Sequence, residues 1–158
     1  MSEIQYISLM YLLNENTAYL EKIKDCYLLL LSELSVTTYI DSYLFINNLE
    51  RISEIGTIII GYIGELESDN FEIIGSGTII IEPKIIRGGK NVGHIEDIVV
   101  TKEMRGQGVS QQILNILKHI ARENNCYKVI LDCSEEVKNV YTKNGLEVKG
   151  VQMAEYFD

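Results

Sequence analysis

Apolar residues recur at helical spacing through the first part of the chain. Leu13, Leu20, Ile23, Tyr27, Leu30 and Leu34 follow one another at steps of three, four or seven, which gathers them on one helix face. Residues 3–8 read as a short strand, and the helical pattern runs from about Leu9 to Leu34. The polar break Asn14-Glu15-Asn16 offers a start for the main helix, with Asn16 or Thr17 as its cap. Ile40 to Ile52 reads as a second, shorter helix. The period then changes. Thr57 to Gly64 and Phe71 to Glu82 are β-rich and flank the turn-like Glu67-Ser68-Asp69-Asn70, which predicts a hairpin. Arg87-Gly88-Gly89-Lys90-Asn91 is a second turn and leads into a strand from His94 to Val100. Beyond a glycine loop, Ile113, Leu114, Ile116, Leu117, Ile120 and Ala121 form one apolar stripe, with Gln112, Asn115, Lys118, His119 and Arg122 on the other face. Asn124-Asn125 can close that helix in the left-handed region. Tyr127 to Cys133 alternates as a strand, Glu135 to Asn144 is a short helix stopped by Gly145, and Leu146 to Phe157 offers a last strand or strand pair. No repeat or linker interrupts this order. The expectation is a single α/β domain over residues 1–158 with a mixed, largely antiparallel sheet.

Composition narrows the function classes. No stretch of the 158 residues approaches the roughly 18–20 apolar residues of a membrane span. The start MSEIQY lacks a basic, then apolar, leader, so a cytoplasmic location is the default. Cys26, Cys126 and Cys133 are odd in number and far apart, which gives neither a disulfide framework nor zinc spacing; three reduced, mostly buried thiols are expected. His94 and His119 do not suggest a metal site, and no metal is expected. A net charge of −9 argues against sequence-independent nucleic-acid binding. An anionic ligand must therefore meet local bases or backbone N–H groups.

The stretch GHIEDIVVTKEMRGQGVS, Gly93 to Ser110, concentrates the candidate chemistry. A strand carrying Glu96-Asp97 enters a loop with Gly106 and Gly108, and a helix follows at once. Glycines let the backbone approach a ligand. The first N–H groups of the helix lack internal partners and sit at the positive end of its dipole, so a diphosphate fits there. The loop is not a Walker loop, because no Gly-Lys-Ser/Thr follows. It also lacks the third glycine and following acid of a dinucleotide fingerprint.

The order strand, Arg-Gly-x-Gly-x-Ser, helix, strand, tyrosine-bearing short helix, strand resembles the GNAT superfamily of acyl-CoA N-acyltransferases. GHIEDIVV, RGQG, CYKVILDCSEE, VYTKNG and GVQMAEYF are similar to its glucosamine 6-phosphate N-acetyltransferase branch, densely from about Ile81 to Phe157 and loosely before that, through Leu34-Ser35. The resemblance implies a mixed, mostly antiparallel sheet flanked by helices, with a splayed strand pair where acetyl-CoA enters. It implies acetyl transfer to glucosamine 6-phosphate, a step toward UDP-N-acetylglucosamine, by a homodimer whose subunits share acceptor sites. By position, acetyl-CoA would meet Ile98, Val99 and Val100 on the strand. On the loop and helix it would meet Gly106, Gln107, Gly108, Val109, Ser110 and Gln111, and then Tyr141, Thr142 and Lys143. The sugar phosphate would meet Ser35, Lys84, Ile85, Ile86 and Arg87. It would also meet Glu96, Asp97, Ile98, Tyr127, Lys128, Asp132 and Tyr156.

The residue types suit amide formation from a thioester. Glu96 or Asp132 can take the amine proton. A backbone N–H near Ile98 can stabilise the oxyanion. Tyr141, with an ordinary pKa near ~10, can protonate the departing thiolate. Lys84, Arg87 and Lys128 can neutralise the 6-phosphate. Glu96 and Asp97 are adjacent, so regular strand alternation sends them to opposite faces, and Glu96 is favoured as the one nearer the amine. The chain departs from the family pattern at Ser110, where glycine or alanine is usual. It also departs at Arg87 for histidine, Val137 for asparagine, and Tyr156 for an arginine that reaches the phosphate across a dimer. Two other readings remain open: a GNAT enzyme for another small amine, and a catalytically silent acyl-CoA-binding module.

Overall fold

The computed structural model describes residues 3–158. Strand β1, Gln5–Ser8, passes directly into helix α1, Leu9–Glu15, because the Ser8 hydroxyl accepts the Tyr11 N–H at 3.1 Å and so caps the first turn. Helical structure thus begins at Leu9, where the helical spacing begins, but the main helix does not start at Asn16 or Thr17. Asn16 instead closes α1, its side-chain amide donating to Leu12 O at 2.9 Å. A 3-10 turn at Thr17–Tyr19 leads into α2, Leu20–Leu31, which has no side-chain cap. Helix α3, Ser42–Ile55, starts on Asp41, whose carboxylate accepts Leu44 N–H at 2.8 Å.

Strands β2, Gly56–Ile63, and β3, Glu72–Pro83, form the expected hairpin. The turn α4, Ile86–Gly89, carries left-handed backbone at Arg87 and Gly88. It precedes β4, Asn91–Val100, then α5, Val109–Glu123, β5, Cys126–Ile130, and α6, Lys138–Lys143. Asn125 takes the left-handed conformation after α5, as its place predicts. The sheet order is β1-β2-β3-β4-β5, antiparallel throughout except for the parallel β4–β5 pair, which α5 connects.

Alternation along β2 builds a two-sided core. Ile58 and Ile60 join Leu9, Leu13, Ile23, Leu30 and Phe45 on the α1–α3 side, while Ile59 joins the α5 side. Ile113, Leu114 and Leu117 of α5 are fully buried against Ile74, Ile79 and Ile95. Burying each contributes roughly 1.5–3 kcal/mol, which fixes α5, and so its N-terminus, against the sheet. Gly77 permits that approach, since a Cβ there would sit 2.8 Å from Ile113 Cγ2.

Two expectations fail at the C-terminal end. The strand expected to reach Cys133 ends at Ile130. The strand or strand pair expected over Leu146 to Phe157 does not form: these residues carry no regular structure and, apart from the half-buried Leu146, are exposed. A strand needs a ladder partner, and none pairs with this segment among the described residues. The cysteines are free, but none is buried: Cys26 and Cys126 are partly covered and Cys133 is exposed. Among the described residues no helix is long and apolar enough to cross a membrane, and no group of three acids, histidines or cysteines is placed to hold a metal ion.

Candidate active site

Strand β4 changes character halfway along. Its pairing with β5 ends at His94 and Ile130, so Ile95 to Val100 have no partner on that side and the two strands part. On its other edge the ladder slips between Ser76 and Thr78. The extra residue is Asp97, at φ 53°. Its effect is visible in the packing. Ile95 and Ile98 both face α5, whereas Val99 joins the α1–α3 core. The bulge also corrects the expectation that Glu96 and Asp97 lie on opposite faces. Both are exposed, and the Asp97 charge acts on Glu96 and on Tyr27 of α2 alike.

Below the bulge, the Tyr27 hydroxyl and Ser76 Oγ share a buried hydrogen bond of 3.1 Å, and burial pushes the tyrosine up to about 12. Burial also raises the Glu96 carboxyl above the usual carboxylate range, Asp97 and Asp132 raise it further, and His94 opposes them. The two candidate acids, on different strands, therefore lie within electrostatic reach. Register explains why. Ile130 pairs with His94, so Asp132, two residues on, falls level with Glu96. Asp132 Oδ2 accepts a bond of 3.3 Å from Gln152 Nε2 in the C-terminal segment.

Past Val100 the chain is braced before it turns. Thr101 N–H donates to Ile74 O at 3.0 Å, and Arg105 Nε donates to Val100 O at 3.4 Å. Gly106 and Gly108 both have φ 80°, and a Cβ on either would meet nothing within 4 Å. Gly108 stands at the N-cap of α5, with no side chain capping the helix. The N–H groups of Val109, Ser110 and Gln111 are thus left facing open space at the positive end of a 15-residue helix. A terminus of this kind can cradle an anion, and it lies beside the gap between β4 and β5. Tyr141, on α6 with Thr142 and Lys143, packs partly against the α5-side core. Burial, with the nearby Cys133, raises its hydroxyl above the ordinary tyrosine value.

The bases gather at the other end of β5. The Arg87 guanidinium lies 5.1 Å from the Tyr127 ring centroid, and the Lys128 ammonium lies 5.6 Å from it. Lys84 is close enough to feel Tyr127, but its ammonium is engaged by Glu82, which also meets His94 Nε2 at 3.4 Å. Glu82 is a partner that residue spacing alone does not reveal. His94, two positions before Glu96 on a strand, was legible as a neighbour. Ile85 and Ile86 are exposed beside Arg87. Ser35 lies in the exposed connection between α2 and α3, and Tyr156 projects from the C-terminal segment, 87% exposed. The fold brings Glu96, Asp97, Tyr127, Lys128 and Asp132 toward the β4–β5 region. Within one protomer it leaves Tyr156 exposed in the C-terminal segment.

Comparison with known proteins agrees with this layout. The profile of the acetyltransferase (GNAT) family matches residues 23–146. A glucosamine 6-phosphate N-acetyltransferase of Arabidopsis thaliana is 36% identical over 129 residues, covering 82% of this chain and 86% of that protein. A probable glucosamine 6-phosphate N-acetyltransferase 2 of rice is 48% identical over 85 residues, but the match spans only 51% of its length. The crystal structure of glucosamine-6-phosphate N-acetyltransferase from Arabidopsis superposes with a TM-score of 0.82 at 28% identity, covering 100% of this chain and 99% of that one. The strand-bulge-glycine-helix junction, the five-stranded sheet and these matches agree: the chain belongs to the acetyltransferase (GNAT) family.

Proposed function

We propose that the protein transfers the acetyl group of acetyl-CoA to the amine of D-glucosamine 6-phosphate, giving N-acetyl-D-glucosamine 6-phosphate and CoA, with residues 1–158 as one catalytic domain. The observation that carries this reading is the meeting of two sites across β4. An uncapped helix N-terminus opens beside the β4–β5 gap, and an acid pair backed by a cation cluster lies along β5. The names of the relatives point to the same acceptor. A product of this kind fits a step toward UDP-N-acetylglucosamine.

The pyrophosphate of acetyl-CoA lies on the amides of Val109, Ser110 and Gln111, with Gly106, Gln107 and Gly108 around it. Ile98, Val99 and Val100 line the thioester arm, and Tyr141, Thr142 and Lys143 close the far side. Glu96 or Asp132 accepts a proton from the acceptor ammonium. The freed lone pair attacks the thioester carbonyl carbon, and the oxyanion that forms is met by the backbone N–H at Ile98. As the carbon–sulfur bond breaks, the departing thiolate takes the proton of the Tyr141 hydroxyl, the attacking nitrogen loses its second proton to water as the amide forms, and water reprotonates the tyrosinate. Burial keeps that hydroxyl protonated at neutral pH. The raised pKa of Glu96 makes it a stronger base than an ordinary glutamate carboxylate.

The acceptor is laid along β5. Lys128 pairs with Val92, four positions before the level of Asp132, a distance of about 13 Å at ~3.3 Å per residue. A hexosamine carrying its amine at one end and a phosphate at the other suits that span. Arg87 and Lys128, together on Tyr127, are the free donors for the phosphate, with Ser35, Ile85 and Ile86 at the rim. Lys84 contributes less than the sequence suggested, because Glu82 holds it. Arg87→Ala and Lys128→Ala should each raise KM for glucosamine 6-phosphate about tenfold or more, leave KM for acetyl-CoA within about twofold, and exceed the effect of Lys84→Ala. Steady-state kinetics on the three variants checks the order. The reading as a whole is tested by thiol release from acetyl-CoA with glucosamine 6-phosphate, glucosamine, spermidine and a peptide. Preference for any acceptor but the first would overturn it.

A homodimer completes this picture. Val151, Met153 and Phe157 are each about nine-tenths exposed, and β5 is an unpaired edge strand among the described residues. An apolar segment without a partner and a sheet edge without a cover are unstable in water. Each is satisfied by the C-terminal segment of a second copy, which would also bring Tyr156 to the phosphate end of the partner's site. Light scattering at micromolar concentration should give twice the 18.0 kDa of the protomer. A monomer would count against the shared site.

A further inference from the structure

Lys24 is the one charged side chain among the described residues that is buried, at 1% exposure. It lies on α2, away from the acids of β4 and β5. Its ammonium donates to Ile40 O at 3.4 Å and to Ser42 Oγ at 3.3 Å, pairs with Glu21 Oε2 at 3.2 Å, and lies 4.9 Å from the Tyr39 ring centroid. The Ser42 hydroxyl in turn donates to Glu21. Apart from Glu21, every partner belongs to the end of the α2–α3 connection or the first residue of α3. An apolar side chain of similar length would fill this space without desolvating a charge. The cation does one thing such a side chain could not: it grips Tyr39, Ile40 and Ser42.

The connection it grips has little else to hold it. Ser32 to Tyr39 are all exposed and form no helix or strand. The near end is held by Glu33, whose Oε1 accepts the N–H of Lys102 at 3.2 Å, just before the loop that reaches Gly106. Nearby, Tyr27 of α2 meets Ser76 of β3 and feels the Asp97 charge, which sets α2 against the sheet beside the bulge. The connection is a strap fixed at both ends by polar contacts, with Ser35 between them.

We propose that Lys24 is a positioning residue for the acceptor, fixing the strap that carries Ser35 between α2 and α3. The proposal rests on the acetyltransferase reading only for where the acceptor lies. The tether itself can be measured without any substrate.

The test uses Lys24→Met, which keeps the volume and removes the charge, with Lys24→Arg as the conservative rescue. Under native conditions, chymotrypsin should cut Lys24→Met after the exposed Tyr39 about tenfold faster than wild type, with the rate largely restored in Lys24→Arg. KM for glucosamine 6-phosphate should rise about tenfold, while KM for acetyl-CoA stays within about twofold. If Lys24→Met does not fold, Ser42→Ala, which removes one partner at a half-buried position, should move both readouts in the same direction by less. A lower melting temperature with unchanged Tyr39 cleavage and unchanged acceptor KM would show a purely structural lysine and overturn the proposal, as would an equal rise in both Michaelis constants. If wild type does not use glucosamine 6-phosphate, the proposed reaction fails, and the cleavage comparison still decides whether Lys24 tethers the strap.

Discussion

Gly108→Val is expected to raise KM for acetyl-CoA by about 10- to 100-fold and to leave the acceptor KM within about twofold. Gly108 sits at the N-cap of α5 with φ 80°, a conformation that a β-branched residue holds only at a cost of about 1–3 kcal/mol. No protein atom lies within 4 Å of where its Cβ would be, so the new side chain meets no wall. It projects into the space over the first-turn amides instead, and the backbone shifts to relieve the strain. Both changes act on the anion cradle, while α5 stays anchored by Ile113, Leu114 and Leu117. A cooperative melt near that of wild type would confirm that the core is intact. Unchanged use of acetyl-CoA in such a folded variant would remove the cradle from the account.

Glu96→Gln is expected to lower kcat by about 10²–10⁴-fold while making the protein more stable at neutral pH. The two effects share a cause. Burial and the charges of Asp97 and Asp132 raise the Glu96 carboxyl, so ionising it disfavours the folded state. For a group whose folded pKa lies above its unfolded value, the stabilising contribution is complete below the unfolded pKa and is lost as pH rises through the folded one. Wild type loses that contribution on the way to neutral pH, and the glutamine variant does not. The melting temperature of the variant should exceed that of wild type near pH 7, and the gap should close at acid pH. The same elevation sets the acid limb of the wild-type rate profile, because only the ionised carboxylate accepts the amine proton. If Asp132 is the acceptor instead, Glu96→Gln keeps most of its kcat, and Asp132→Asn loses it. The two variants together settle the assignment that the sequence left open.

The parts legible in the sequence are those whose signal is local. The α5 stripe from Ile113 to Ala121, the β2–β3 hairpin and the turn from glycine loop to helix each follow from spacing within a dozen residues. The acid-bearing strand was legible as a strand, but its bulge was not. Glu96 and Asp97 are both polar and exposed, so an extra residue there leaves the alternation unchanged until Ile98 and Val99 reveal the switch of face. The start of α1 was legible, because the strand-like residues 3–8 give way to helical spacing at Leu9, whereas the break at Asn14-Glu15-Asn16 ends α1 and the main helix begins only at Leu20. Residues 146–157 show the opposite case. Their pattern is strand-like, but pattern alone does not make a strand, and no ladder partner pairs with them among the described residues. The pairing of Lys84 with Glu82 and the burial of Lys24 are likewise invisible in one dimension, because a lysine on an amphipathic helix ordinarily reads as solvated.

The most direct test of the central claim is a stoichiometry. Wild-type protein would be incubated with acetyl-CoA and glucosamine 6-phosphate, with free thiol read by absorbance and the sugar products by mass spectrometry over the same time course. The account predicts one N-acetylglucosamine 6-phosphate formed for each CoA released, with no thiol above background when the sugar is omitted. Thiol release that is independent of the sugar, or a sugar phosphate that stays unacetylated while CoA accumulates, would contradict it.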